Sequence, residues 1–178
     1  MKICQLCAVD FTLYHFLLPL IRAQQSAGHE VVGVCSNGPW MSSSNLSNLR
    51  TVSVPISRNL NPISHIISYI RLLKLFRQER FDVIHVHTPI AAFLGRLAAK
   101  RAGIKYIIYT AHGFYFHENM PAWKQKLIIT LERWVGCYTD VLFTQAEEDA
   151  EAARKFGLCR GGIIEAIGNG VDPQFFYP

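Results

Sequence analysis

Asp82-Val83-Ile84-His85-Val86-His87, followed at once by Thr88-Pro89, is the stretch on which the fold turns. Val83, Ile84 and Val86 are β-branched, which suits a short buried strand. Thr88 and Pro89 then read as the N-cap and first residue of a helix. That helix is built on Ala91, Ala92, Gly95, Ala98 and Ala99, small enough to let it lie close to a sheet, and Gly103 can end it. A second apolar run, Lys105 to Thr110, follows. Strand, helix and strand at this spacing form a βαβ unit, whose two strands are parallel.

The alternation continues in both directions. Further strands are expected near Lys2 to Ala8, Glu30 to Cys35, Thr51 to Val54, Asp140 to Phe143 and Ile163 to Ile167. A helix is expected from Thr12 to Ala27, with Phe16, Leu17, Leu20 and Ile21 on one face and Gly28 as a left-handed cap. Another follows Asn61-Pro62 and ends near Arg80, with Ile63, Ile66, Ile67, Ile70 and Leu73 at steps of three and four. Pro121 opens a helix on which Trp123, Leu127, Leu131 and Trp134 form a stripe expected to be buried. Thr144-Gln145-Ala146-Glu147 reads as a capping box for a last helix ending near Phe156-Gly157. The polar segment Ser36 to Arg50 reads as a mobile surface loop. The class is α/β: a three-layer αβα sandwich around a mainly parallel sheet of about seven strands, one domain over residues 1–178.

Composition narrows the function. Half the residues are apolar and 17% are charged, which suits a globular chain rather than a disordered one. The net charge of +5 is spread without any block of like charges, so no nucleic-acid arm is expected. Such a balance still favours an anionic substrate or an anionic membrane face, and Arg71, Lys74 and Arg77 offer either a lipid contact or an ordinary solvated helix side. Five scattered cysteines make no disulfide framework, and Cys4 and Cys7, three apart in a strand, point to opposite faces. With no run of 18 apolar residues and no signal-peptide pattern at the start, a cytoplasmic location is expected, peripheral to the inner membrane face at most.

In open α/β sheets the ligand crevice lies beyond the carboxyl ends of the strands. The loops there hold Asp10-Phe11-Thr12, Asn37-Gly38-Pro39, His87-Thr88-Pro89, His112-Gly113-Phe114, Thr144-Gln145 and Gly168-Asn169-Gly170. His85 lies mid-strand and reads as a hydrogen-bonded core residue; His87, at the strand end, is open to a core or a binding role. Tyr109 to His117 brings His112, Gly113, Phe114, Tyr115, Phe116 and His117 into one loop, where rings can face a sugar or lipid and imidazole can meet a hydroxyl or phosphate. A rigid aromatic plug with a Gly113 turn is the competing reading. Asn169, Gly170 and Asp172 fit either a crevice loop or a plain turn. No G-x-G-x-x-G follows the first strand, which disfavours a dehydrogenase.

Ala27-Gly28-His29-Glu30-Val31, Asp82 to His87, Thr110-Ala111-His112-Gly113 and Gly168-Asn169-Gly170-Val171-Asp172 occur in an order and spacing that resembles the N-terminal domain of family 4 glycosyltransferases. Tyr109 to Phe116 looks most like enzymes that build bacterial cell-surface polysaccharides on lipid carriers. The resemblance implies one Rossmann-like half of a GT-B fold, retaining in stereochemistry, with the nucleotide-sugar donor held by a second, C-terminal domain. It implies His112 as the catalytic residue beside the donor sugar. Asp10, Phe11, Thr12, His87, Thr88, Gly113, Phe114, Tyr115, His117, Asn169, Gly170 and Asp172 are the substrate-binding candidates around it. No metal or other cofactor is expected, the donor's phosphate oxygen helping to deprotonate the acceptor, a glycan or lipid-linked sugar. The family's glycine pair after the first strand is replaced by Val9-Asp10-Phe11-Thr12, so a backbone phosphate cradle is not expected there. The chain reaches Pro178 where the family crosses into its second domain, so no transfer is expected from this chain alone. The alternative is a non-catalytic module whose crevice docks a partner polypeptide.

Overall fold

All seven expected strands form, and every neighbouring pair is parallel. The computed structural model describes residues 1–59, 61–117, 119–168 and 170. The strands are β1 (Lys2–Val9), β2 (Glu30–Ser36), β3 (Arg50–Ser53), β4 (Val83–His87), β5 (Tyr106–Ala111), β6 (Val141–Thr144) and β7 (Ile163–Ala166), in the spatial order β3-β2-β1-β4-β5-β6-β7. The order reverses between β1 and β4, and it is beyond the carboxyl edge at such a switch point that open α/β sheets bind their ligands.

The helices follow the same logic. After β1 the chain runs through α1 (Asp10–Thr12), a π-helical turn (Leu13–Leu17) and α2 (Leu18–Ser26). Then come α3 (Pro62–Glu79), α4 (Pro89–Ala102), α5 (Ala122–Gly136) and α6 (Glu147–Phe156). α2 and the π turn cover one face of the sheet with Leu13, Leu17, Leu18 and Ile21. The larger core lies on the other face, where α3, α4 and α6 meet Leu6, Ile84, Val86, Tyr109 and Leu142. Cys4 and Cys7 fall in these two separate clusters, and all five cysteines are free thiols.

α4 lies close against the sheet because of its small residues. A Cβ on Gly95 would lie 2.5 Å from a Leu6 methyl and 2.8 Å from one of Val86. At the end of α5 a Cβ on Gly136 would overlap the backbone carbonyl of Leu158, which cannot rotate away as a side chain can. Gly136→Ala gains about 1 kcal/mol of helix propensity but forces that backbone apart. We expect a net loss on the order of 2–3 kcal/mol, read as a lowered urea midpoint; an unchanged midpoint would contradict the tight contact.

Several expectations are corrected. The first helix begins at Asp10, and its π turn rotates the buried face, leaving Phe16 and Leu20 exposed while Leu13 and Leu18 turn in. On α3, Ile63, Ile66, Ile67 and Ile70 face solvent; Ser68, Leu72 and Phe76 are buried instead. The stripe Trp123, Leu127, Leu131 and Trp134 is exposed, and α5 buries Glu132, Val135 and Gly136. A period of three and four identifies an amphipathic helix but not which side meets the sheet. Here buried Arg96 of α4 claims the other side of α5 through Glu132, at 2.6 Å.

Neither N-cap expectation holds as a side-chain cap. Thr88 stands before α4 with φ 62° and caps nothing, its hydroxyl accepting the Ala8 amide at 3.1 Å. Ahead of α6 the N-cap is Ala146, and the Thr144 hydroxyl donates to the Ala146 carbonyl at 2.9 Å. Residues 36–50 are an ordered connection with two short 3₁₀ turns, Pro39–Ser42 and Ser44–Leu46, pinned by buried Leu46 and Leu49.

Candidate functional site

The strand ends at the switch point bring His87 and His112 together. His87 is the last residue of β4, His112 follows β5, and the register pairs His87 with Thr110. His112 Nε2 lies 3.2 Å from His87 Nδ1, and His112 Nδ1 lies 2.7 Å from the Gln145 amide nitrogen beyond β6. Behind them, His87 Nε2 lies 2.8 Å from Gln5 Oε1, and the Gln5 amide nitrogen reaches Gln24 Oε1 at 2.9 Å and His85 Nδ1 at 3.3 Å. His85 Nε2 ends the chain on the Thr110 hydroxyl at 2.8 Å.

One polarity satisfies every member. Gln145 donates to His112 Nδ1; His112 Nε2–H donates to His87, His87 Nε2–H to Gln5, Gln5 to His85, and His85 to Thr110. Each ring carries one proton, so the chain requires neutral imidazoles. Burial enforces that. It pushes the His85 pKa down to about 3, holds His87 well below its ordinary value with help from neighbouring His85 and His112, and lowers His112.

The sign for stability follows. A histidine whose folded pKa lies below its unfolded value near 6.5 contributes stability above that value, and the contribution is lost as pH falls toward the folded pKa. For His85 alone the loss at pH 5 is about 2 kcal/mol. We expect the melting temperature to drop between pH 7 and pH 5; a level profile across that window would refute the buried neutral chain.

The other strand-end residues surround this chain. Asp10 is buried: Oδ2 accepts the Trp40 amide at 2.8 Å and Oδ1 the Phe11 amide at 2.9 Å, so its carboxylate ties the first loop to the 36–42 segment. Phe11 is exposed and half-buried Thr12 lies beside it. The Phe11 ring sits 4.3 Å from His15, and Trp40 stands 4.6 Å from His15 and 4.8 Å from Tyr14, centroid to centroid. Thr88, with its positive φ, joins β4 to β1 through Ala8. A left-handed β-branched residue is strained, and such strain collects at functional sites.

The loop after β5 divides into plug and platform. Gly113 takes φ 105°; Phe114 and Phe116 stack at 5.0 Å, half-buried against the core, with Phe116 edge-on to Phe156. Tyr115 alone of the three rings is exposed, with Lys124 over its face. His112, Gly113 and His117 are exposed. His117 lines a shallow hollow with Phe116, Gln125, Asp149, Lys155 and Phe156. Gly170 is exposed, whereas Asn169 and Asp172 lie outside the described residues.

The profile of Glycosyltransferase Family 4 matches residues 15–175. This chain belongs to that family. EpsD of Bacillus subtilis (strain 168) is 35% identical over 99% of this chain and 46% of its own length. The Escherichia coli UDP-Gal:alpha-D-GlcNAc-diphosphoundecaprenol alpha-1,3-galactosyltransferase is 33% identical over 73% of this chain and 34% of its own. Among solved structures, Anabaena HepE in complex with UDP and glucose superposes with a TM-score of 0.71 at 14% identity, over 99% of this chain and 46% of that one. The chain spans less than half the length of these relatives.

For a family 4 chain, three residues of this site went unrecognised in the sequence. Gln145 was visible as a strand-end residue, but the capping-box pattern absorbed it. Gln5 sits mid-strand in an apolar run, and only a buried amide between two histidine-bearing positions gives it away. Trp40 lay in a segment read as mobile, although a lone Trp among serines marks a fixed turn.

Proposed function

We propose that this chain is the acceptor-side half of a retaining GT-B glycosyltransferase. The enzyme transfers a sugar from a nucleotide-sugar donor to a glycan or lipid-linked acceptor in bacterial surface-polysaccharide synthesis, held peripherally at the cytoplasmic face of the membrane. The observation that carries this reading is His112, exposed at the switch-point rim and held between His87 and Gln145, within a family 4 chain. The naming of the Escherichia coli relative for a diphosphoundecaprenol-borne acceptor supports the lipid carrier.

The residues present suggest how the acceptor half works. His112 Nδ1 is an acceptor now occupied by Gln145, so a donor-sugar hydroxyl reaches it by displacing that amide. His87 holds the ring in register, which lets the imidazole stabilise charge developing at the sugar without reorganising. Exposed Phe11, Trp40 and Tyr115 offer flat faces at the same rim for the acceptor's sugar or isoprenoid. Leaving-group departure and acceptor deprotonation fall to the donor's own phosphate, with no metal or other cofactor. A donor-binding half in the remaining length of such relatives, of which this chain spans less than half, fits that division of labour.

The test is a transfer assay on the complete polypeptide with a set of nucleotide sugars and a diphosphoundecaprenol-linked sugar. The expected product is the acceptor extended by one sugar residue with the donor's anomeric configuration kept. The 178-residue chain alone is expected to transfer nothing. Inversion at the anomeric carbon, or no extension with any donor, would refute the reading.

A further inference from the structure

The outer side of the α3–α4–α5 layer is apolar beyond what a solvated surface needs. Opposite buried Ser68, Leu72 and Phe76, α3 presents Ile63, Ile67 and Ile70. Opposite buried Glu132, Val135 and Gly136, α5 presents Trp123, Leu127 and Trp134, with Trp123 71% exposed. Between the two helices, Phe93 of α4 is half-buried with its ring 6.0 Å from Trp134, which joins α4 and α5 into one surface.

The charges on these helices are one-sided. Each holds three Lys or Arg residues, together half of the chain's 18, against two of its 13 acids. Both acids are already engaged: Glu79 by Lys2 and Arg50, and Glu132, buried, by Arg96. Lys74, Arg77, Lys126 and Arg133 stand exposed beside the apolar stripe with no described acid paired to them. By contrast α6 carries four acids, Glu147, Glu148, Asp149 and Glu151, so the segregation belongs to this flank.

We infer that the α3–α4–α5 flank is a docking surface for an anionic lipid membrane, with Trp123 and Trp134 seated at headgroup level and the four cations on lipid phosphates. Trp is the side chain that settles at a lipid–water boundary, and a basic rim around an apolar stripe is the chemistry of interfacial binding. A second copy of this chain is a poor occupant, because it would set the same cations against one another. No described helix is long and apolar enough to cross a membrane, so the contact is along the surface. The inference rests on the proposed lipid-carried acceptor for its setting, while the surface itself is argued from the side chains.

The 178-residue chain is mixed with phosphatidylcholine vesicles with and without phosphatidylglycerol, then followed by co-sedimentation and Trp emission. Binding is expected only with the anionic lipid, weakening as salt rises, with a blue shift in emission. Trp123→Ser with Trp134→Ser should lower partitioning at least about tenfold and abolish the shift, Trp40 remaining as the internal control. Lys74→Gln, Lys126→Gln and Arg133→Gln should each lower it about fivefold. All five positions lie on exposed faces, so circular dichroism should not change. Binding that ignores lipid charge, absent binding, or concentration-dependent self-association lost in the Trp variant would each overturn the inference. Transfer by the complete enzyme to a water-soluble, short-chain diphosphate acceptor separates the two readings. If it persists without vesicle binding, only the docking surface falls; vesicle binding without any transfer leaves the surface standing and removes the enzymatic reading.

Discussion

Glu132→Ala should cost the fold about 3–5 kcal/mol, the range for removing one partner of a buried ion pair. Arg96 is the largest fully buried side chain among the described residues. Its Nη2 meets Glu132 Oε2 at 2.6 Å, its Nε donates to the Ala92 carbonyl at 3.0 Å, and its guanidinium lies 4.4 Å over the Tyr109 ring. Nη1 has no partner among the described residues, so nothing stands ready to take the charge once Glu132 is gone. Arg96→Met combined with Glu132→Leu removes both charges and keeps the volume, and should recover most of the loss. Urea denaturation of the two single variants and the pair decides it. Additive losses in the double variant would mean that the pair is not the coupled unit described here.

The second large effect is kinetic. His112→Ala in the complete enzyme should lower kcat by about 10²–10³-fold, the cost of removing one preorganised hydrogen-bonding group from a developing charge, with KM little changed. The reasoning is geometric: the ring is held on one side by His87 and in the resting state on the other by Gln145. Gln145→Ala leaves Nδ1 free and should act in the opposite sense on binding, lowering KM for the donor because no amide must be displaced. A KM-only effect of His112→Ala would assign the ring to ground-state binding and remove it from catalysis.

Much of the fold was legible because the evidence for it is local. Each strand boundary fell within a residue or so of its expected place, since β-branched runs bounded by Gly, Pro and Asn carry their own start and stop signals. Gly28 adopts the left-handed cap read from sequence, at φ 83°, and Gly103 and Gly157, at the expected helix ends, do so at φ 77° and 65°. The site was legible in part: the strand-end rule points to His87 and His112, while Gln145, in the same set of loops, reads as part of a capping box.

The sequence by itself determined the alternation of strands and helices, the caps, the parallel sheet and the rim on which His112 stands, because periodicity and turn chemistry are properties of neighbouring residues. Which side of each helix faces inward was decided only in three dimensions. The stripe on α5 has the spacing of a core, yet the side that packs is the one bearing Glu132, because Arg96 is already buried across from it and demands a counter-charge. The same holds for the histidine chain. Gln5 and His87 lie on two strands and His112 and Gln145 in the loops after two others, so their common proton order exists only after the sheet brings them within hydrogen-bonding distance.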